Sequence, residues 1–90
     1  MKEVRIEVIG PEPPCMRCQE VKRVVERVAE KLKQSGIMVN IEKTNIMSKK
    51  IVQKYGILLS PALAINNTVK VMGRVPSQSE VEKLIREAAE

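Results

Sequence analysis

The chain has 90 residues, with 16 lysines and arginines against 11 aspartates and glutamates, a net charge of +5 and no histidine. A chain of this length has room for one core, so we expect residues 1–90 to form a single domain. It contains one tyrosine and no tryptophan or phenylalanine. It therefore lacks the aromatic platforms on which single-strand binders stack bases. Because its basic and acidic residues are interleaved, we expect no nucleic-acid partner.

The sequence shows neither a signal peptide nor a membrane-spanning segment, and this predicts the cellular compartment. The first residues carry charges throughout and have no apolar stretch typical of a signal peptide. No apolar run approaches the ~20 residues of a membrane span. We therefore expect a cytoplasmic protein with no membrane partner. In the cytoplasm a close pair of cysteines is more often catalytic or metal-binding than a structural disulfide.

The first half of the chain predicts a strand, a helix and a second strand. Apolar residues at positions 4, 6 and 8 alternate with Arg5 and Glu7, which indicates a strand with Glu7 facing away from the apolar side. Gly10 and three prolines follow as a stiff loop. The next helix ends near Gly36 and has one apolar stripe, formed by Val21, Val24, Val25, Val28 and Leu32. Alternation over residues 37–42 then predicts a strand with one wet face or edge.

The second half predicts a short helix, a hairpin and a final helix. Residues 48–55 form the short helix, closed by Gly56, with Ile51, Val52 and Tyr55 expected to face inward. Residues 61–65 are a buried strand, and the pair at 66–67 suits a tight turn into the strand that contains Val69 and Val71. The run 77–80 has capping-box spacing before a helix whose apolar stripe is Val81, Leu84, Ile85 and Ala88.

These elements define an α/β chain with the order β-α-β-α-β-β-α. A βαβ unit requires a parallel, right-handed crossover, and a closing hairpin adds antiparallel strands. We therefore expect a four-stranded mixed sheet with helices on both faces. This is the minimal thioredoxin-like arrangement.

The chemistry is expected at Cys15-Met16-Arg17-Cys18, which follows the strand and the proline loop and opens the first helix. The unpaired N–H groups and the dipole of a helix N-terminus favour an anion, so we expect the thiol of Cys15 to ionise readily. Arg17 adds positive charge nearby. Because the two cysteines are one helical turn apart, Cys18 can close a disulfide with Cys15. We interpret the pair as a redox dithiol.

Two other interpretations stay open at this stage. Two thiolates and the Met16 thioether suit Cu(I) or zinc, although a closed zinc site requires four ligands. The chain could also be a redox-inert adaptor that binds a partner through an apolar patch. The residues 57–59 are candidates for such a patch, but we expect them to pack under the sheet. We likewise interpret Tyr55, Met47 and Met72 as packing residues.

The cysteine motif, Ser60-Pro61 before the buried strand, and the runs 60–66 and 71–75 together resemble the small prokaryotic thioredoxin-like redox-active disulfide proteins. The resemblance covers nearly the whole chain. It implies a thiol–disulfide oxidoreductase and electron carrier in which Cys15 is the nucleophile and Cys18 resolves the mixed disulfide. It also implies that Pro61 is cis beside the active disulfide, that the backbone of Ser60 pairs with the substrate, and that Gly73 keeps the neighbouring surface open.

The same resemblance sets the expected partners. They are a protein or small molecule that contains a disulfide, and a reductase or small-thiol reductant. We expect a monomer that needs neither a cofactor nor a metal. The motif Pro-Cys-Met-Arg-Cys differs from the Trp-Cys-Gly-Pro-Cys of thioredoxins proper, and the Thr-Val-Pro and Gly-Gly elements of glutaredoxins are missing. The sequence therefore does not identify the substrate.

Overall fold

A computed structural model describes residues 2–11 and 16–89 of the chain. In chain order its elements are β1 (Lys2–Gly10), α1 (Met16–Lys33), β2 (Ile37–Asn45), α2 (Lys49–Tyr55), β3 (Ala62–Ile65), β4 (Thr68–Met72) and α3 (Gln78–Ala89). The strands form one mixed sheet in the order β2-β1-β3-β4. β1 pairs in parallel with β2 and antiparallel with β3, and β3 pairs antiparallel with β4. The expected order and the mixed sheet are both confirmed.

Side-chain alternation along β1 divides the core between the two faces of the sheet. Val4, Ile6 and Val8 are fully buried in the larger cluster, which also contains the apolar stripes of α1 and α3. Ile9 points to the other face and belongs to a smaller cluster built on Ile51 of α2. Helices therefore cover both faces, as predicted. In the described part of the chain, no helix is both long and apolar enough to cross a membrane.

The turns follow the residues that the sequence provides. Asn66 and Asn67 have φ angles of 48° and 68°, the left-handed conformation that a two-residue hairpin requires. Asn66 also ties the hairpin to β1, because its Oδ1 accepts from the N–H of Arg5 at 2.9 Å and its own N–H donates to the Arg5 carbonyl at 2.8 Å. The turn therefore fixes the register of β3 against β1.

Only one of the two hydrogen bonds of the predicted capping box forms before α3. Ser77 Oγ accepts from the N–H of Glu80 at 3.2 Å, which satisfies one donor at the start of the helix. The Glu80 carboxylate does not complete the reciprocal bond. It accepts two bonds from the guanidinium of Arg74, at 2.7 and 2.5 Å. This pairing lowers the pKa of Glu80, chiefly through the hydrogen bond from Arg74.

Replacing Ser77 with alanine is expected to lower the free energy of unfolding by about 1 kcal/mol, because the N–H of Glu80 loses its acceptor. Urea unfolding followed by circular dichroism measures the change. Ser48→Ala is the matched control, since Ser48 precedes α2 but its side chain makes no capping hydrogen bond, and its effect should stay within about 0.5 kcal/mol. Equal losses in the two variants would contradict the capping role.

Candidate redox site at the ends of β1 and β3

The described half of the cysteine pair is Cys18, in the first turn of α1. Its side chain is buried, with 1% exposed, although the neighbouring Arg17 and Gln19 are exposed. Cys15, the predicted nucleophile, lies outside the described residues, as does most of the proline loop. The predictions about Cys15 therefore stay predictions.

Cys18 packs directly on Gly10, the last residue of β1. An alanine Cβ at Gly10 would overlap Cys18 Sγ and lie 3.4 Å from Cys18 Cβ. Gly10 belongs to the sheet, since its carbonyl accepts from the N–H of Ile46 at 2.9 Å and it pairs with Asn45. The sequence interpretation of Gly10 as part of the loop was therefore wrong. Positions 4, 6 and 8 face α1, so alternation carried on to position 10 could have located this contact.

The β1–β3 pairing brings Pro61 to the same place. Ile9 pairs with Ala62 in an antiparallel register, and one further step places Pro61 beside Gly10. Pro61 is buried and its peptide bond with Ser60 is cis. Gly10 therefore has the Cys18 side chain above it and the buried proline beside it.

Gly73 extends this region toward β4. Its N–H donates to the Pro61 carbonyl at 2.8 Å, and its φ angle is 79°, a conformation that favours glycine. A side chain added at Gly73 would contact Leu59 at 3.7 Å. Ser60, just before the cis bond, is exposed. Of the predicted site residues, the structure thus brings Ser60, Pro61 and Gly73 together, with Cys18 on the far side of Gly10.

Apolar side chains around this region are exposed, contrary to expectation. Ile57 and Leu59 are 93% and 65% exposed, whereas Leu58 packs on the smaller core cluster. Only Leu58 therefore behaves as predicted. Met72 and Met47 are also exposed, so their interpretation as core residues was wrong, and Val52 of α2 does not face inward.

A pocket of about 260 Å³ lies on the other side of Cys18. Its lining residues come from one face of α1 and from β2, and they are Cys18, Gln19, Lys22, Arg23, Glu26 and Lys43. Lys43 is half-buried, and its Nζ donates to the Pro11 carbonyl at 3.3 Å. The pocket is therefore lined by the buried cysteine, three cationic side chains and one carboxylate.

A buried carboxylate on the opposite face of the sheet was not recognised in the sequence. Glu7 is 3% exposed and accepts a hydrogen bond from Tyr55 Oη. Lys54 Nζ lies 3.5 Å from Glu7 Oε1, donates to Asn67 Oδ1 at 2.5 Å, and stands 5.0 Å from the centre of the Tyr55 ring. Burial, together with the hydrogen bond to Glu7 and its charge, raises the pKa of Tyr55 to about 12. Alternation correctly turned Glu7 away from the larger cluster, but the tyrosine that contacts it is 48 residues further along the chain.

Metal binding gains no support from the part of the molecule that the structure describes. Within residues 2–11 and 16–89, no three side chains of the types His, Cys, Asp or Glu come together as metal ligands. The Met16 thioether is 78% exposed. The alternative soft-metal site requires Cys15 as well, so it lies partly outside the described residues.

The family model described as "Thioredoxin domain" matches residues 4–86. The chain therefore belongs to the thioredoxin-domain family, whose members carry out thiol–disulfide redox chemistry, and it has the thioredoxin fold.

Particular relatives support this assignment over nearly the full length. A thioredoxin of Methanocaldococcus jannaschii is 33% identical over 85 residues, which cover 93% of this chain and 95% of the relative. A probable thioredoxin of Methanothermobacter thermautotrophicus is 34% identical over 97% of this chain and 98% of its own. The oxidised thioredoxin of Plasmodium falciparum superposes with a TM-score of 0.64 at 20% identity, over 99% of this chain and 84% of that one. The last comparison shows the shared fold.

Proposed function

We propose that this protein is a thiol–disulfide oxidoreductase in which Cys15 is the nucleophile and Cys18 the resolving thiol. The observation that carries the proposal is the packing of Cys18 against Gly10, beside Pro61, at one end of the sheet of a thioredoxin-family chain. Cys15 directly precedes α1, where the helix N-terminus favours a thiolate. Arg17, exposed in the first turn, adds positive charge that favours the same ionised form.

The reaction transfers two electrons from the dithiol to a substrate disulfide. The Cys15 thiolate attacks one substrate sulfur, forms a mixed disulfide and releases the other substrate sulfur as a thiolate. Cys18 then loses its proton to solvent or to the departing thiolate and attacks Cys15 Sγ. The second substrate thiol leaves, and the protein holds a Cys15–Cys18 disulfide. A reductase or small thiol, available in a reducing compartment such as the cytoplasm, returns it to the dithiol.

The surroundings of the cis proline are proposed as the substrate-docking surface. Ser60 is exposed next to Pro61 and can offer backbone groups to an extended substrate segment, and Gly73 leaves space beside it. The exposed side chains of Ile57 and Leu59 supply apolar area for the same partner. We propose that a monomer performs the whole cycle, because both cysteines belong to one chain.

Cys18→Ser is expected to trap a mixed disulfide through Cys15, because the attack that releases the substrate is lost. Incubating the reduced variant with a disulfide-containing protein should give about one covalent adduct per chain, counted by mass spectrometry without reductant. Cys15→Ser is the control and should form no such adduct in the same time. Adducts formed equally by both variants would contradict the assigned roles.

A redox titration of the wild-type protein tests the pair as a unit. Equilibration in dithiothreitol buffers, followed by alkylation, should show two thiols lost together in a monomer. The midpoint should fall between about −270 and −120 mV, the range of known disulfide oxidoreductases. Thiols that never pair, or that pair only between chains, would overturn the proposal and direct attention to Cu(I) or zinc binding.

A further inference from the structure

The pocket beside Cys18 carries an excess of positive charge. Lys22, Arg23 and Lys43 line it against a single carboxylate, that of Glu26. Within the described ranges neither Lys22 nor Arg23 takes part in an ion pair, whereas the cations Lys31 and Arg86 share Glu82. Two of the three cations are therefore available to an incoming anion.

The position of the pocket relates it to the redox motif. Its α1 residues Gln19, Lys22, Arg23 and Glu26 follow Cys18 by 1, 4, 5 and 8 positions within the same helix. These intervals repeat on one face of a helix. Cys18 itself forms part of the wall. A molecule whose disulfide meets the motif can thus extend its tail along α1 toward the cations.

The volume restricts what this pocket can hold. About 260 Å³ lies below the range of roughly 300–1,000 Å³ typical of sites that enclose a drug-sized ligand. It is enough for the charged end of a small molecule. Lys22 and Arg23 supply donors from adjacent positions of α1, so a carboxylate, sulfonate or phosphate would be held against this face of the helix, beside the positive charge of Lys43.

We infer that the pocket selects low-molecular-weight disulfides that carry an anionic group within a few bonds of the sulfur. This inference rests on the proposed function and names its substrate class. The anionic end binds Lys22 and Arg23, beside the positive charge of Lys43, while the Cys15 thiolate attacks the nearer sulfur. One anionic thiol leaves at that step, and Cys18 releases the second when it closes the protein disulfide. Two electrons pass from the dithiol to the substrate, which leaves as two thiols.

Three small disulfides of similar size test the selection: the anionic dithiodipropionate, the neutral dithiodiethanol and the cationic cystamine. The rate at which the reduced protein reduces each is divided by the rate of the same disulfide with dithiothreitol, whose attacking thiolate carries one negative charge and has no cationic pocket beside it. At low salt we expect the normalised rates to fall in the order anionic, neutral, cationic, with about fivefold between the first two. High salt should reduce the differences between the three normalised rates, because it screens the charges.

Variants locate the effect in the pocket. Lys22→Gln combined with Arg23→Gln should lower the normalised rate for dithiodipropionate about fivefold and leave that for dithiodiethanol within about twofold. Glu26→Gln should act in the opposite direction and raise the rate for the anionic disulfide. The matched control, Lys33→Gln with Lys83→Gln, removes the same net charge from exposed positions outside the pocket, and its charge order should be unchanged.

The outcomes separate the two proposals. If the protein reduces dithiodiethanol but shows no charge order, the selection is wrong and the oxidoreductase proposal stands. If the control variant loses as much of its normalised rate for dithiodipropionate, the preference comes from the net charge of the protein, and the role of the pocket is wrong. If the paired variant alters only the reduction of acidic protein disulfides, the pocket serves a macromolecule and the inference fails. No reduction of any disulfide would contradict the proposed function itself.

Discussion

Gly10→Ala is expected to lower the free energy of unfolding by about 1–3 kcal/mol, the usual cost of inserting an atom into a packed interior. The new Cβ would occupy the space of Cys18 Sγ, so the buried cysteine side chain or the start of α1 would have to shift. Alanine normally stabilises a strand relative to glycine by roughly 0.5–1 kcal/mol. The overlap outweighs that gain here because both groups are held by the sheet and by α1. Urea unfolding of the reduced protein measures the difference.

A double-mutant cycle assigns the loss to the sulfur. In a Cys18→Ala background the space beside Gly10 is vacant, so adding Gly10→Ala should cost little or should even stabilise the protein. The coupling energy between the two positions should then be at least about 1 kcal/mol. The same loss in both backgrounds would show that Gly10 is required for a reason other than contact with Cys18.

The elements that the sequence predicted are those with local causes. Alternation at positions 4, 6 and 8 identified β1, and Asn66–Asn67 identified the hairpin because few residues adopt positive φ angles in succession. Ser77 identified the start of α3 through a bond that spans three residues. The cysteine motif was found for the same reason, since its spacing and its position before a helix are both visible locally.

The features that the sequence did not predict depend on tertiary contacts. Leu58 and Leu59 are adjacent and equally apolar, yet only Leu58 packs on the smaller core cluster, whereas Leu59 is 65% exposed. Gly10 was assigned to a loop because three prolines follow it closely, and its role became clear only with Cys18 above it. Composition and periodicity predict which side of an element is apolar, but not how far a neighbouring element extends to cover it.

Tyr55 is expected to titrate about two pH units above an ordinary tyrosine, with a pKa of about 12 against about 10. Burial opposes the charge of the tyrosinate, and the Glu7 carboxylate accepts the hydroxyl proton in a hydrogen bond and repels the same charge. Because Tyr55 is the one tyrosine of a chain without tryptophan, the ultraviolet absorbance of tyrosinate reports this group alone. The protein unfolded in urea should titrate near 10.

Glu7→Gln keeps an acceptor for the hydroxyl but removes the charge, so the midpoint should fall between about 10 and about 12. Glu3→Gln removes a carboxylate from an exposed position on the same strand and should leave the midpoint unchanged. A wild-type midpoint near 10 would contradict the coupling between Tyr55 and Glu7.

The same shift determines how stability depends on alkaline pH. A folded-state pKa above the unfolded value means that the folded protein holds the proton more tightly. The resulting stabilisation is complete below about pH 10 and is lost as the pH rises from about 10 to about 12. Urea midpoints measured across that interval should therefore fall, and Tyr55→Phe, which has no hydroxyl to ionise, should fall less steeply. Since Tyr55 and Lys54 join α2 to β1 through Glu7, loss of this network would first loosen the helix that supports the segment carrying Leu59 and Ser60.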